Sequence, residues 1–180
     1  MILVHLADGF EEVEAVTVTD ILRRAGLETK FVSVTDSRQI KGAHGITVEA
    51  DTMFEEADYE ACEMIVLPGG MPGALNLKEH KGLCRQIALF AEEDKALAAI
   101  CAAPMVFGSL GILSGRKATI YPGMEEELLG AEPIPFPVVR DSNIITSQGP
   151  GTAMKFAIAI VKYFKGEDAG DKLEKELLLY

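Results

Sequence analysis

Short apolar runs alternate along the chain with longer stretches in which apolar residues recur every three or four positions. Three runs are too short and too uniformly apolar for amphipathic helices and predict buried parallel strands: 2–6, 64–67 and 96–100. Segment 28–34 alternates and predicts a further strand. Helical spacing predicts helices over 11–24, 83–93 and 167–178, and a further helix from 103 onward. Another helix is predicted after 151, with Phe156, Ile160 and Val161 buried.

The first helix has acidic residues in its first turn, and Gly26 is its stop signal. We expect its apolar side to face the sheet through Val13, Val16, Val18, Ile21 and Leu22. Glu11 and Glu12 are interpreted as solvated residues favoured by the helix dipole. Segment 40–48, with glycines at its turn, predicts a small hairpin added to the main sheet, and 138–146 predicts a second hairpin.

The alternation of strand and helix predicts an α/β fold of three layers, an open parallel sheet with helices on both faces. A length of 180 residues predicts one domain over 1–180. Ligands of such folds bind at the carboxyl ends of the strands. We therefore expect the loops 8–14, 68–73 and 101–104 to converge on one site.

Cys101 lies where a buried strand turns sharply into a helix whose first turn holds Pro104. This is the arrangement of a nucleophile elbow with cysteine as the nucleophile, and it predicts strained backbone angles at that residue. A helix N-terminus favours a thiolate, so the sequence predicts a lowered thiol pKa. The alternative is a small buried core cysteine.

Two further features fall near this elbow. Glu14, on the first helix, is within reach of the thiol if the loops converge, although a glutamate early in a helix is ordinarily solvated. Gly69 and Gly70 follow a strand, and glycine permits the close backbone approach that an amide donor to an oxyanion needs. The alternative for the two glycines is a flexible strand exit.

All three histidines, His5, His44 and His80, precede Cys101. A cysteine hydrolase with a downstream histidine base is therefore excluded. His5, inside a strand, and His80, at a helix start, are interpreted as structural or solvated. His44, at a hairpin tip, could reach a site, in its own subunit or a partner.

Composition narrows the partners and the compartment. A net charge of −11 argues against nucleic acid and anionic membranes. No apolar run has membrane length, and the first residues lack a signal peptide, so we expect a cytoplasmic protein. Three unpatterned cysteines predict neither disulfides nor a metal site. No cofactor is expected, because loop 8–11 is acidic and lacks a phosphate cradle.

Five ordered motifs resemble the ThiJ/PfpI family and, within it, the branch of the parkinsonism-associated, glyoxalase III-like deglycase: residues 11–14, 23–26, 66–70, 98–104 and 146–152. The resemblance implies a flavodoxin-like, class I glutamine amidotransferase-like fold and a homodimer with the first helix and the hairpin near its interface. It implies that Cys101 is a reactive, oxidisable thiol, with Glu14 as its protonated hydrogen-bond partner. The amides of Gly70 and Ala102 would form the oxyanion hole.

The chain departs from that branch at three positions around the implied site. Tyr121 stands where that branch usually has a histidine, and Gln148 stands where it has an arginine. His44 occupies a hairpin position that often carries arginine. Ala102 stands where the protease branch has histidine, so proteolysis is not expected. The site lining would comprise Gly69, Met71, His44, Tyr121, Gln148 and Pro150.

The implied function is enzymatic, the cysteine-dependent processing of reactive carbonyls by a glutathione-independent glyoxalase or a protein deglycase. Its substrate would be a small reactive carbonyl or a glycated protein. The alternatives are a redox-sensing or chaperone-like dimer without turnover, in oxidative stress, and a protein associated with thiamine synthesis.

Overall fold

Seven strands form the central sheet of the computed structural model, which describes residues 1–179. The strands are β1 (Ile2–Leu6), β2 (Thr29–Ser33), β5 (Thr52–Met53), β6 (Met64–Leu67), β7 (Ala96–Ile100), β10 (Val138–Asp141) and β11 (Ile144–Ser147). Their spatial order is β10-β11-β7-β6-β1-β2-β5, and only β10 runs antiparallel to its neighbour.

Six α-helices cover the two faces of this sheet. They are α1 (Glu12–Arg24), α2 (Gly73–Glu79), α3 (Lys81–Glu92), α4 (Pro104–Ser109), α5 (Ala153–Lys165) and α6 (Glu167–Glu176). Helices α1 and α5 pack on one face, with α6 against α5, whereas α2, α3 and α4 pack on the other. The three-layer α/β prediction is therefore confirmed.

Strand β1 shows how the sequence produces two cores. Ile2, Val4 and Leu6 contribute to the core beneath α1 and α5, whereas Leu3 and Ala7 contribute to the core beneath α2 to α4. Successive side chains of a strand point to opposite faces, so a continuous apolar run suits a strand covered on both sides. The period of two thus explains the absence of polar alternation in β1.

Two expectations about α1 and the first hairpin are wrong. Val13 and Val16 are 51% and 46% exposed, whereas Val18, Ile21 and Leu22 are buried. The hairpin, β3 (Gln39–Lys41) with β4 (Thr47–Glu49), forms a separate two-stranded sheet. It cannot extend the main sheet beside β2, because β5 occupies that edge.

Several short elements have no counterpart in the sequence prediction. Helix α2 follows the glycine-rich loop directly, and β5 adds the edge strand of the sheet. A parallel pair, β8 (Lys117–Ala118) with β9 (Glu132–Pro133), forms a third sheet. Within residues 1–179, none of the helices has the length and apolarity that crossing a bilayer requires.

The structural interpretation of two histidines is supported by their contacts. His5 is fully buried, and its Nε2 atom lies 2.8 Å from the Tyr59 hydroxyl. His80 caps α3, where its Nδ1 atom accepts a 3.0 Å hydrogen bond from the N–H of Leu83. Both histidines therefore have structural partners.

Candidate active site

Cys101 adopts the left-handed backbone conformation, with φ of 63°, directly after β7 and before α4. This region costs a residue with a side chain roughly 1–3 kcal/mol. Two backbone hydrogen bonds hold the turn: Cys101 N–H to the Ser147 carbonyl at 3.0 Å and Tyr121 N–H to the Cys101 carbonyl at 2.9 Å. The strain expected of a nucleophile elbow is confirmed, and β11 and the 119–124 loop maintain it.

Glu14 is fully buried in the first turn of α1, although it is a glutamate on a helix. Its Oε2 atom accepts a 2.7 Å hydrogen bond from the N–H of Gly69, 55 residues away in the chain. Its Oε1 atom is buried without a conventional hydrogen-bond partner, and the Cys101 thiol interacts with the carboxyl. Glu14 is therefore not a solvated helix residue.

The carboxyl of Glu14 and the thiol of Cys101 strongly influence each other's ionisation. Burial raises the pKa of Glu14 to about 7, against the opposing effects of the Gly69 amide and the thiol. Burial and the Glu14 charge raise the pKa of Cys101 to about 12. Because two anions in contact repel each other, the pair keeps one proton across the range between these values.

The predicted lowering of the Cys101 thiol pKa is therefore wrong. Helix α4 has only six residues, so its dipole is weak, and desolvation and the Glu14 charge both oppose the thiolate. Activation of this thiol requires a base that takes its proton, and Glu14, with a pKa near 7, is the base in contact with it.

Glycine is required at both positions of the loop after β6. A Cβ atom on Gly69 would lie 2.6 Å from the Cβ of Cys101 and 3.0 Å from Oε2 of Glu14. Gly70 has φ of 87°, and a Cβ there would collide with the backbone N of Glu11. These glycines let three loops pack closely, so they are more than a flexible strand exit.

The backbone amides of Gly70 and Ala102 face the sulfur of Cys101 and favour its anionic form. Ala102 is buried beside the turn. Donors fixed in this way can bind an oxyanion formed on an atom that is bonded to the sulfur.

Glu12, interpreted from the sequence as solvated, is buried and binds the tip of the hairpin. Its Oε1 atom accepts hydrogen bonds from the N–H groups of His44 at 2.7 Å and Ile46 at 3.3 Å. Its Oε2 atom lies 2.9 Å from Nδ1 of His44. A Cβ on Gly42 would collide with the Glu12 side chain. The need for glycine at 42 is the one sequence signal that could have indicated this contact.

His44 thus belongs to a carboxylate cluster beside the site and has its ring on Glu12. His44 Nδ1 also lies 3.6 Å from Glu11 Oε2, and the carboxylates raise the pKa of His44. Within residues 1–179, Glu11, Glu12 and His44 are the one group whose donor atoms, all within 4.8 Å, could hold a metal ion. The Glu12 oxygens already accept hydrogen bonds from His44 and Ile46, so we treat the group as a structural contact.

The other predicted lining residues lie in loops around the elbow. Tyr121 is 48% exposed, and its ring lies 3.4 Å from where a Cβ on Gly149 would be. Gln148 lines a cavity of about 120 Å³ together with Thr119 and Ile120. Met71 and Pro150 have exposed side chains in two of these loops.

Comparison with known proteins supports the family assignment over most of the chain. The model of the DJ-1/PfpI family matches residues 1–163. Protein DJ-1 homolog B of Arabidopsis thaliana is 39% identical over 99% of this chain and 41% of its own length. The chain spans less than half the length of this plant relative. A Pyrococcus abyssi protein named deglycase is 34% identical over 91% of this chain and 99% of its own.

A solved structure agrees with the fold. Oxidized DJ-1 of Toxoplasma gondii superposes with a TM-score of 0.95, at 33% identity over 99% of this chain and 98% of that one. The flavodoxin-like fold predicted from the motifs is thereby confirmed. Sequence, fold and family model agree: this chain belongs to the DJ-1/PfpI family.

Proposed function

We propose that the chain converts small 2-oxoaldehydes to 2-hydroxy acids by covalent catalysis at Cys101, without glutathione. The observation that carries the proposal is the buried Cys101–Glu14 pair, with the amides of Gly70 and Ala102 directed at the sulfur. A relative named deglycase supports carbonyl chemistry in the family. Removal of the same carbonyls from glycated proteins would use the same thiol.

The reaction begins with the proton that the pair shares. Glu14 takes the thiol proton while sulfur attacks the aldehyde carbon, and the new oxyanion lies against the amides of Gly70 and Ala102. Protonation of that oxygen gives a hemithioacetal. The thiol is thus activated only while the carbonyl is being attacked.

Glu14 then acts a second time, as base and acid. It removes the carbon-bound proton of the hemithioacetal and returns a proton to the neighbouring carbon, which converts the adduct to a thioester. Water hydrolyses the thioester, which releases the hydroxy acid and restores the thiol. The net reaction is aldehyde plus water to acid, an internal oxidation and reduction that needs no external oxidant.

The test is lactate formation from methylglyoxal in the absence of added thiol. Wild type should turn over, whereas Cys101→Ala, Glu14→Gln and Glu14→Leu should lose activity by about a hundredfold or more, as expected when a nucleophile or a general base is removed. Cys84→Ala is the matched control and should retain it. Turnover that survives Cys101→Ala would contradict the proposal.

A redox-sensing role is the second candidate, favoured by one observation. The Oε1 atom of Glu14 is buried without a conventional partner beside the thiol, and a protonated Glu14 can donate from it to a sulfinate oxygen. Two equivalents of peroxide convert the thiolate to sulfinate and two waters. Intact-mass analysis after peroxide treatment tests this role. A sensor should stop at two added oxygens in wild type and Glu14→Gln, and run on to three in Glu14→Leu.

We also propose that the chain forms a homodimer through α1 and the hairpin. Val13, Val16 and Ile46 are 51%, 46% and 59% exposed, a concentration of apolar side chains that a partner copy would cover. This surface lies next to Glu11, Glu12 and His44, so the interface would border the site.

A further inference from the structure

The loops that surround Cys101 contain no lysine or arginine. They are the stretches 7–11, 68–72, 101–103, 119–124 and 148–149, and the hairpin tip 42–46 adds only His44. The same stretches and the first turn of α1 carry Asp8, Glu11, Glu12 and Glu14. The fixed charges at this edge of the sheet are therefore negative.

The charges that act on the reacting pair have the same sign. Glu14 acts on Cys101, and Glu11 acts on Glu14. Lys41 has an exposed side chain at the end of β3, and its backbone N–H donates a 2.9 Å hydrogen bond to Oδ1 of Asp8. The other basic group nearby, His44, is held by Glu11 and Glu12.

The arginines of the chain do not compensate for this charge. Four of them hold carboxylates elsewhere: Arg23 with Asp51, Arg24 with Asp20, Arg38 with Glu56 and Arg116 with Asp141. Arg140 donates to the Ser142 carbonyl and lies over the ring of Tyr163, and Arg85 is exposed on α3. An incoming anion would meet the carboxylates of the site without a guanidinium to bind it.

We propose that this site selects its carbonyl substrate by charge, admitting neutral or cationic aldehydes and excluding anionic ones such as glyoxylate or sugar phosphates. Glu11 is the specificity-determining residue, because its N–H donates to the carbonyl of Gly69, whose own N–H binds Glu14, and its carboxylate takes no part in the bond-making steps. The selection among carbonyl substrates rests on the proposed function. The repulsion of anionic reagents from Cys101 does not, because it requires only the thiol and the carboxylates around it.

The same charges act on the product. A neutral 2-oxoaldehyde stays uncharged while it is bonded to Cys101 as the hemithioacetal and the thioester, and hydrolysis of the thioester then produces a carboxylate that faces Glu11 and Glu14. Like charges in a partly desolvated site repel each other strongly, so the acid is expelled once the thioester is cleaved. The arrangement therefore opposes product inhibition as well as anionic substrates.

The decisive experiment compares alkylation of Cys101 by iodoacetamide, which is neutral, and iodoacetate, which is anionic. The peptide containing Cys101 is followed by mass spectrometry at low ionic strength. Cys101 should prefer iodoacetamide by about tenfold more than free N-acetylcysteine does, since the site's carboxylates repel the anion. Added salt should reduce this preference.

Glu11→Gln should reduce that preference about threefold or more, because it removes one charge beside the pair. Glu60→Gln, which removes an exposed carboxylate on another face, is the matched control and should leave it unchanged. A Cys101 preference equal to that of the free thiol would overturn the inference, whether or not the protein turns over methylglyoxal.

The catalytic arm compares kcat/KM for methylglyoxal and glyoxylate. Methylglyoxal should be preferred by about tenfold or more, and Gln148→Lys should narrow the ratio, whereas Gln148→Met should not. Absence of turnover with both substrates would defeat the proposed function and leave the alkylation ratio to decide this inference. Equal turnover of the two would overturn the charge selection itself.

Discussion

The N–H of Gly69 donates a 2.7 Å hydrogen bond to Oε2 of Glu14, and this bond places a buried carboxyl against the Cys101 thiol. The bond joins the loop after β6 to the first turn of α1. It also explains how a fully buried glutamate is tolerated, because a buried charge needs a hydrogen-bond donor. The relationship leads to several measurable expectations.

Alkylation of Cys101 should follow the ionisation of the pair. We expect the rate to rise through pH 7 as Glu14 becomes able to accept the thiol proton. Glu14→Gln should abolish the rise in alkylation rate through pH 7. It should also lower the pKa of Cys101, since the variant lacks the repelling charge of Glu14. Iodoacetamide labelling against pH, with thiolate ultraviolet absorbance, measures both effects. Identical profiles for the two proteins would contradict the pairing.

Among the native thiols, Cys62 should be the slowest to react. It is 1% exposed, burial raises its pKa to about 11, and its thiol donates to the Met64 carbonyl at 3.2 Å. Cys101 should react faster than Cys84 at neutral pH because it alone has a carboxylate base beside it. Residue-resolved mass spectrometry in one sample compares all three, and equal rates would remove the reason for assigning Cys101.

Folding stability should decrease with rising pH through Glu14. Its pKa is raised from 4.5 to about 7 on folding, so its contribution is full below pH 4.5 and is lost as the pH rises through 7. Between pH 5 and 8 the loss amounts to about 2 to 3 kcal/mol. Urea unfolding of wild type and Glu14→Gln measures it. The variant should show a correspondingly smaller decrease over the same interval.

His5 should have the opposite dependence. Burial lowers its pKa from 6.5 to about 3, so stability is full above pH 6.5 and is lost as the pH falls towards 3. At pH 4 the loss is about 3 kcal/mol. His5→Phe should lose less stability between pH 7 and 4 than wild type does. Tyr59→Phe, which removes the 2.8 Å hydrogen bond and keeps the imidazole, should retain the full pH dependence.

Gly69→Ala should damage the site more than the fold. The added Cβ would lie 2.6 Å from the Cβ of Cys101, so the elbow must shift, at an expense of about 1–3 kcal/mol. Gly151→Ala, whose Cβ would meet open space, is the matched control. The thermal unfolding temperature and the rate of Cys101 alkylation should both change in Gly69→Ala. Neither should change in Gly151→Ala.

The proposed dimer depends on the exposed valines of α1. Val16→Glu should give a light-scattering mass near the 19.4 kDa of one chain, because it buries a charge in the interface, whereas wild type should give twice that mass. Leu89→Glu, at a 42% exposed position on α3, is the control and should remain dimeric. A wild-type mass near that of one chain at micromolar concentrations would contradict the dimer.

The strands of the core and the position of Cys101 could be predicted from the sequence because their causes are local. A uniformly apolar run such as 64–67 is typical of a strand that is buried on both faces of a sheet. Pro104 marks the start of the helix that follows Cys101. Helix α2 escaped prediction for the converse reason. It begins at Gly73, whose N–H donates to the Gly9 carbonyl at 3.1 Å, and a contact across 64 residues leaves no local pattern.

The inward face of α1 differs from the prediction because hydrophobicity alone does not determine it. Glu12 and Glu14 point inward, whereas Val13 and Val16 point outward. The carboxylates are tolerated because amides from Gly69, His44 and Ile46 meet them, and these amides belong to segments more than thirty residues distant. The thiol pKa of Cys101 differs from the prediction for the same reason, since the Glu14 charge acts through the fold and not along the chain.

The hydrogen bond from Cys101 N–H to the Ser147 carbonyl has a consequence for how the protein is made. Residue 101 can be locked in its left-handed conformation only after β11 has been synthesised and paired with β7. Until Ser147 has left the ribosome, the growing chain lacks the carbonyl that accepts the hydrogen bond of Cys101 in this turn. The carbonyl chemistry proposed for this site therefore cannot begin before β11 has been translated.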